Sequence, residues 1–233
     1  MITIPAIDLR GGKVVRLKQG DPEAQVVYGD DPVAVAEGFA ADGAKLIHVV
    51  DLDAALGDGN NKETIARICS ATDVPVQTGG GLRDPDSVAA VLDAGASRAV
   101  LGTAAALDPT FVDQAVEAHG ARIIVALDVR DRTVMTHGWT EEAGPVDLML
   151  ASLAAQGVPR FMLTQIAVDG MLEGPDLDLY RHALLFADVP VIASGGVSTA
   201  DDLKVLATTG VEGAIVGKAI YEGTVTLSEV IEL

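Results

Sequence analysis

The strongest constraint on this chain is an internal repeat. Residues 74–104 align with residues 189–219 at a constant offset of 115, about half of the 233-residue length. Ten of the thirty-one positions are identical without a gap. The identities fall at strand ends and turns: Val74-Pro75-Val76 against Val189-Pro190-Val191, Gly80-Gly81 against Gly195-Gly196, Gly95 against Gly210, Gly102 against Gly217. The first strands of the two halves also match, Ala6-Ile7-Asp8 against Ala126-Leu127-Asp128, at a slightly different spacing. A repeated unit stacks on its copy to bury a continuous core, so the two halves are expected to close on each other.

Each half alternates β-branched runs with Ala/Leu-rich stretches of helical period. Strands are expected at Ile2–Asp8, Lys45–Leu52, Val74–Thr78, Arg98–Leu101, Arg122–Asp128, Arg160–Gln165, Val189–Ala193 and Gly213–Val216. Helices are expected at Asp31–Asp42, Lys62–Thr72, Asp84–Ala94, Pro109–Ala118, Pro145–Gln156, Leu177–Ala187, Thr199–Thr208 and Leu227–Glu232. Eight βα units predict an α/β protein, a TIM (β/α)8 barrel built from two (βα)4 half-barrels, as one domain over residues 1–233. No G-x-G-x-x-G follows the first strand, which argues against a doubly wound dinucleotide fold. The chain has 25 glycines and only 3% aromatics, which suits a buried parallel sheet better than a sandwich.

Composition also narrows the partners. The net charge is −18, a field that repels nucleic acid and anionic lipid. No apolar run reaches the ~18–20 residues that span a bilayer, and the first residues carry no basic or apolar leader pattern. Cys69 is the only cysteine, so neither a disulfide framework nor a Cys-based metal site is expected. The expected home is the cytoplasm, and the expected state a monomer. The four histidines, His48, His119, His137 and His182, are scattered, with no i,i+4 pair to hold a metal. No metal and no cofactor are expected.

Barrel chemistry sits at the C-terminal ends of the strands. Strands one, two and five are read as ending in Asp8, Asp51 and Asp128, and strand six in Thr164. Strands three, four, seven and eight end in glycine: Gly79–Gly81, Gly102, Gly195–Gly196 and Gly217. Glycine before a helix start lets an anion reach backbone N–H groups at the positive end of the helix. Two such pairs on opposite sides of the mouth predict a small-molecule substrate carrying two phosphates. Asp8 and Asp128 face each other by symmetry, and opposed carboxylates can divide general acid and general base work. Trp139, in the loop after strand five, is placed to stack on a heterocycle, and the glycines near it let that loop act as a lid. Arg16 and Arg83 lie near the mouth and can pair with an anion. His48, three residues before Asp51, faces either the mouth or the helix layer.

The segments 5–17 and 48–53, Gly79-Gly80-Gly81-Leu82-Arg83, Gly138-Trp139 and Gly213-Ala214-Ile215-Val216-Gly217-Lys218-Ala219 resemble the ProFAR isomerase family of histidine biosynthesis (phosphoribosylformimino aminoimidazole carboxamide ribotide isomerase). The resemblance covers the whole chain, with the motifs in order. It implies an Amadori rearrangement of a bisphosphorylated aminoaldose to an aminoketose, with no cofactor. It implies Asp128 as the general acid that opens the ribose ring and Asp8 as the general base at C2. Thr164, Asp169, Arg16, His48, Arg83 and Trp139 would then bind the substrate. Gly80, Gly81, Gly102 and Thr103 would hold one phosphate, and Ser194, Gly195, Gly196, Gly217 and Lys218 the other.

An actinobacterial branch of that family is bifunctional and also isomerises phosphoribosylanthranilate for tryptophan synthesis. Residues 51–57, 193–198 and 211–219 resemble it in particular. That branch carries an Arg two residues before the loop Trp, where this chain has His137. Near strand six the family reads Thr-Asp and then Asp-Gly-Thr, whereas this chain has Thr164-Gln165 and then Asp169-Gly170-Met171. These departures favour a mainly monofunctional isomerase and leave the strand-six polar network open. The related cyclase has Cys-Leu-Asp on strand one, against Ala6-Ile7-Asp8 here. A barrel that binds phosphosugars without turnover is the remaining alternative.

Overall fold

A computed structural model describes residues 1–18 and 20–231. Twelve strands form one sheet. They are β1 (Ile2–Arg10), β2 (Lys13–Lys18), β3 (Asp21–Gly29), β4 (Ile47–Asp51), β5 (Val76–Gly79), β6 (Arg98–Leu101), β7 (Ile123–Arg130), β8 (Thr133–Thr136), β9 (Glu141–Pro145), β10 (Phe161–Gln165), β11 (Val191–Ser194) and β12 (Gly213–Val216). Eight of them, β1, β4, β5, β6, β7, β10, β11 and β12, pair in parallel in that order, and β12 returns to β1. This is the closed (β/α)8 barrel read from the repeat. β1 is buried along nearly its whole length, because one face meets the barrel interior and the other the helix layer.

The interior is small and largely apolar below the mouth, with buried His48 and Gln77 among the polar exceptions on its strands. Ile4, Ala6, Leu46, Val100, Ile124, Met162, Ile192 and Ile215 fill it. A larger apolar cluster, including Phe39, Leu101, Leu127, Leu150, Phe161 and Leu203, seals the barrel against its helices. Just ahead of β10 and β12, Arg160 donates two hydrogen bonds from its guanidinium to the Glu212 carboxylate.

Two expectations need correction. Strands one and five do not end at Asp8 and Asp128; β1 runs on to Arg10 and β7 to Arg130. Each then folds back as an antiparallel hairpin, β1–β2–β3 after the first carboxylate and β7–β8–β9 after the second. Both turns have two residues at positive φ, Gly11 and Gly12 at 56° and 74°, Asp131 and Arg132 at 47° and 64°. That is the two-residue hairpin geometry favoured by strand twist. The half-barrel repeat therefore extends to its hairpins, although their sequences have diverged. The segment between Trp139 and the next helix is strand rather than open loop, and Pro145 precedes the helix Val146–Ala155 instead of opening it. At the C-terminus a helix spans Leu227–Val230, and Glu232 lies outside the described residues.

Hairpin one is tied down at its turn. The N–H groups of Gly11 and Gly12 donate to Asp53 Oδ2 (2.7 Å) and Asn61 Oδ1 (3.0 Å). Buried Asp51 accepts from the Asn61 backbone and side-chain amides and from Ala54 N–H. Asp51 is thus a capping and bracing residue for the loop after β4, a role that orders the rim.

Candidate active site

The C-terminal ends of the barrel strands enclose a cavity of about 780 Å³. Every residue expected from the sequence to act on or bind a substrate lines it: Asp8, Arg16, His48, Gly80, Gly81, Arg83, Gly102, Thr103, Asp128, Trp139, Thr164, Asp169, Ser194, Gly195, Gly196, Gly217 and Lys218; Asp51, read as a strand end, does not. Residues spread over the whole chain meet because each follows a barrel strand or a hairpin grown from one.

Asp8 and Asp128 stand on strands at opposite sides of the ring. Asp8 is buried and Asp128 half-buried, and desolvation pushes both carboxyls above the usual carboxylate range. Their partners differ. Arg16, one residue past the β2 position paired with Asp8, returns its Nη1 to Asp8 Oδ2 at 2.7 Å. The same guanidinium lies 3.6 Å from Asp169 Oδ1. The cation holds back the rise at Asp8, and the Asp169 charge adds to it. Among the described residues no cation pairs with Asp128. Its Oδ2 accepts the Trp139 indole N–H at 2.7 Å, and the hydrogen bonds from Trp139 and Thr164 moderate the rise that burial causes.

His48 faces the cavity, which resolves the sequence ambiguity. Its Nδ1 meets Gln77 Nε2 at 3.2 Å. Burial, with Arg16 nearby, lowers it to about 4, so the ring is neutral at physiological pH.

The glycine cradles divide into two kinds. Gly102 and Gly217 cap short helices, Thr103–Leu107 and Lys218–Tyr221, with no side-chain cap. Their first-turn N–H groups are the ones open to an anion. After Gly80-Gly81 and Gly195-Gly196 the helix starts only at Pro85 and at Ala200, and Asp84 and Thr199 already close a capping box there. The expectation that a helix start follows every glycine is corrected for these two. They are instead places of close backbone approach. A Cβ on Gly80 would sit 2.2 Å from the Asp51 carbonyl oxygen, and one on Gly196 2.2 Å from the Gly174 carbonyl oxygen, both at positive φ. Lys218 Nζ donates to the Gly170 carbonyl at 2.8 Å, and Arg83 Nη2 to the Ala54 and Ala55 carbonyls at 3.4 and 3.0 Å.

Trp139 and His137 both have positive φ, 72° and 51°, around Gly138. The indole also packs over Gly20, where a Cβ would come within 2.8 Å of the ring. The two hairpins therefore meet across the mouth. His137 Nδ1 lies 3.3 Å from Glu141 Oε2. Gln165 points its amide at Asp176 Oδ2 (2.8 Å), the cap of the helix Leu177–Ala187, so the altered strand-six segment braces that helix. Sequence reading passed over Gln77 and Tyr180. Tyr180 donates to the Ser194 carbonyl at 2.7 Å and fixes the strand end before Gly195. Gln77 carried a signal, a polar side chain within the apolar run of a barrel strand.

Among proteins of known role, the family model described as histidine biosynthesis protein matches residues 2–226. A Parafrankia sp. protein named 1-(5-phosphoribosyl)-5-((5-phosphoribosylamino)methylideneamino) imidazole-4-carboxamide isomerase is 48% identical over 227 residues, 97% of this chain and 92% of that protein. A Moorella thermoacetica protein of the same name is 48% identical over 235 residues, covering 98% and 96%. Streptomyces coelicolor phosphoribosyl isomerase A is 44% identical over 232 residues, covering 98% and 96%. With the barrel, the opposed carboxylates and the match along nearly its full length, the chain belongs to the histidine biosynthesis protein family.

Proposed function

We propose that this chain is an aldose–ketose isomerase that converts ProFAR, the bisphosphorylated aminoaldose described by its relatives' name, to the aminoketose. The observation that carries the reading is the pair of opposed, desolvated carboxylates with unlike partners. Asp8, beside Arg16, is the one favoured as an anion and acts as base. Asp128, raised by burial with only neutral donors, acts as acid. Asp128 gives its proton to the ribose ring oxygen, the C1–O bond breaks, and the exocyclic nitrogen's lone pair forms C1=N. Asp8 takes the C2 proton; that electron pair forms C1=C2 and the nitrogen regains its own. The enaminol then becomes the ketone as the C2 hydroxyl loses its proton and C1 gains one.

Gly80, Gly81, Gly102 and Thr103 hold one phosphate, and Ser194, Gly195, Gly196, Gly217 and Lys218 the other. Arg16, Arg83, His48, Thr164, Asp169 and Trp139 orient what lies between. His137 sits against the Glu141 carboxylate, a poor setting for gripping a second substrate's carboxylate. Steady-state assays on ProFAR and on phosphoribosylanthranilate test the reading, with turnover of ProFAR alone expected. Asp8→Asn and Asp128→Asn should each lower kcat by at least ~100-fold with affinity largely kept. Near-normal turnover in either variant would remove that residue from the mechanism.

A further inference from the structure

Below Asp8, four residues on adjacent strands stand in register: Ala6 on β1, His48 on β4, Gln77 on β5 and Arg98 on β6. The second half of the barrel has the matching set, Ala126, Met162, Ile192 and Gly213 on β7, β10, β11 and β12. The fold fills this layer with apolar groups in one half and with a polar row in the other. Packing alone therefore does not require the polar row.

We propose that Gln77 is a positioning residue for His48: its amide N–H donates to Nδ1 and fixes the imidazole with its proton on Nε2, as a neutral N–H donor toward a sugar hydroxyl of the substrate. The sugar part of this inference rests on the isomerase reading above. Gln77 is fully buried and its Nε2 lies 3.2 Å from His48 Nδ1. The amide has two orientations, and they impose opposite tautomers on the ring. In the structure Nε2 is the atom that faces Nδ1. Arg98 stands beside Gln77 in the β5–β6 register, and its Nη1 is buried with no hydrogen-bond partner. A guanidinium attracts an amide oxygen and repels an amide NH2, so a cation at the neighbouring strand position favours the orientation with Nε2 toward His48. Gln77 Oε1 is itself buried without a hydrogen bond. An unpaired buried acceptor is unfavourable, and the apolar residue of the other half avoids it. The neutral ring has one N–H, and with Nδ1 accepting it is Nε2–H. His48 lines the cavity alongside Asp8 and Arg16. An uncharged donor there polarises a substrate oxygen without adding a second cation beside Arg16.

The test is the tautomer itself, read from two-bond 1H–15N correlations of the histidine-labelled protein, with His48 assigned by comparison with His48→Asn. The wild type should carry its proton on Nε2. Gln77→Met should mix the two tautomers, and Gln77→Glu, whose carboxylate accepts from Nδ1–H, should move the proton to Nδ1. On ProFAR, kcat/KM should fall about 10-fold in the first variant and about 100-fold in the second. A wild-type proton on Nδ1, an unchanged tautomer in both variants, or a shifted tautomer with unchanged kcat/KM would each overturn the inference. The wild-type spectrum does not depend on either variant folding. A wild type with no turnover of ProFAR but with the Nε2–H tautomer would overturn the isomerase reading alone and leave the Gln77–His48 relation in place.

Discussion

Protonating His48 means placing a charge inside the barrel, and that makes stability depend on pH in a calculable way. Its pKa is depressed from 6.5 to about 4. Between those values the unfolded chain binds a proton that the folded chain refuses, so stability rises with pH and is lost as pH falls. From the two values, His48 contributes about 2 kcal/mol less stability at about pH 5 than at about pH 7.5. The raised carboxyls of Asp8 and Asp128 act in the opposite sense, since the folded state there holds protons that the unfolded chain has released. A comparison with His48→Asn separates the contributions, because the variant keeps both carboxylates and loses only the imidazole. Urea unfolding of the two proteins at a series of pH values gives the difference curve. The wild type should lose about 2 kcal/mol relative to His48→Asn over that interval, whatever fixed offset the substitution adds. Parallel curves would refute the reasoning and mean that His48 takes up its proton in the folded protein as readily as in water.

Three further outcomes follow from local geometry. Gly196→Ala must move the Gly174 carbonyl at a backbone φ of 87°, and thermal unfolding should show a loss of at least about 2–4 kcal/mol. Replacing Asp131-Arg132 by Asn-Gly relieves two side chains held at positive φ in a two-residue hairpin turn, and denaturant unfolding should show a gain of about 0.5–1 kcal/mol with unchanged kcat. Glu212→Gln leaves Arg160 facing Arg98 without a compensating anion, and should lower stability by about 1–3 kcal/mol in the same assay.

The barrel and its glycine-rich rim were legible because duplication wrote them twice. Gly80 and Gly196 recur since no other residue fits a positive φ pressed against a carbonyl oxygen. The two hairpins were not legible. Lys13–Lys18 and Asp21–Gly29 carry no strict apolar alternation, and Thr133–Thr136 is only four residues long. Their turns share a backbone conformation, yet Gly11-Gly12 and Asp131-Arg132 share no residue, so the repeat could not reveal them. Asp51 shows the converse limit. A carboxylate at a strand end reads the same whether it faces a substrate or, as here, braces Asn61 and a helix N-terminus. Only tertiary contact separates the two.

The diverged hairpins are what turn a symmetric scaffold into an asymmetric site. Asp8 and Asp128 occupy equivalent places, paired with Val15 and Met135 on the returning strands. The next residue is Arg16 in one hairpin and Thr136 in the other. Arg16 reaches back to its carboxylate, whereas Thr136 hydrogen-bonds within its own hairpin, to the Glu141 carbonyl. The place beside Asp128 is taken instead by the indole N–H of Trp139, from the tip of that hairpin. Both carboxyls are raised by the same burial, so burial cannot tell acid from base. A single guanidinium can, because it favours the anion on one side of the mouth only. In two half-barrels that share one pattern, the division of proton chemistry proposed above thus follows from which residue comes one step after the strand-paired position, and not from the carboxylates themselves.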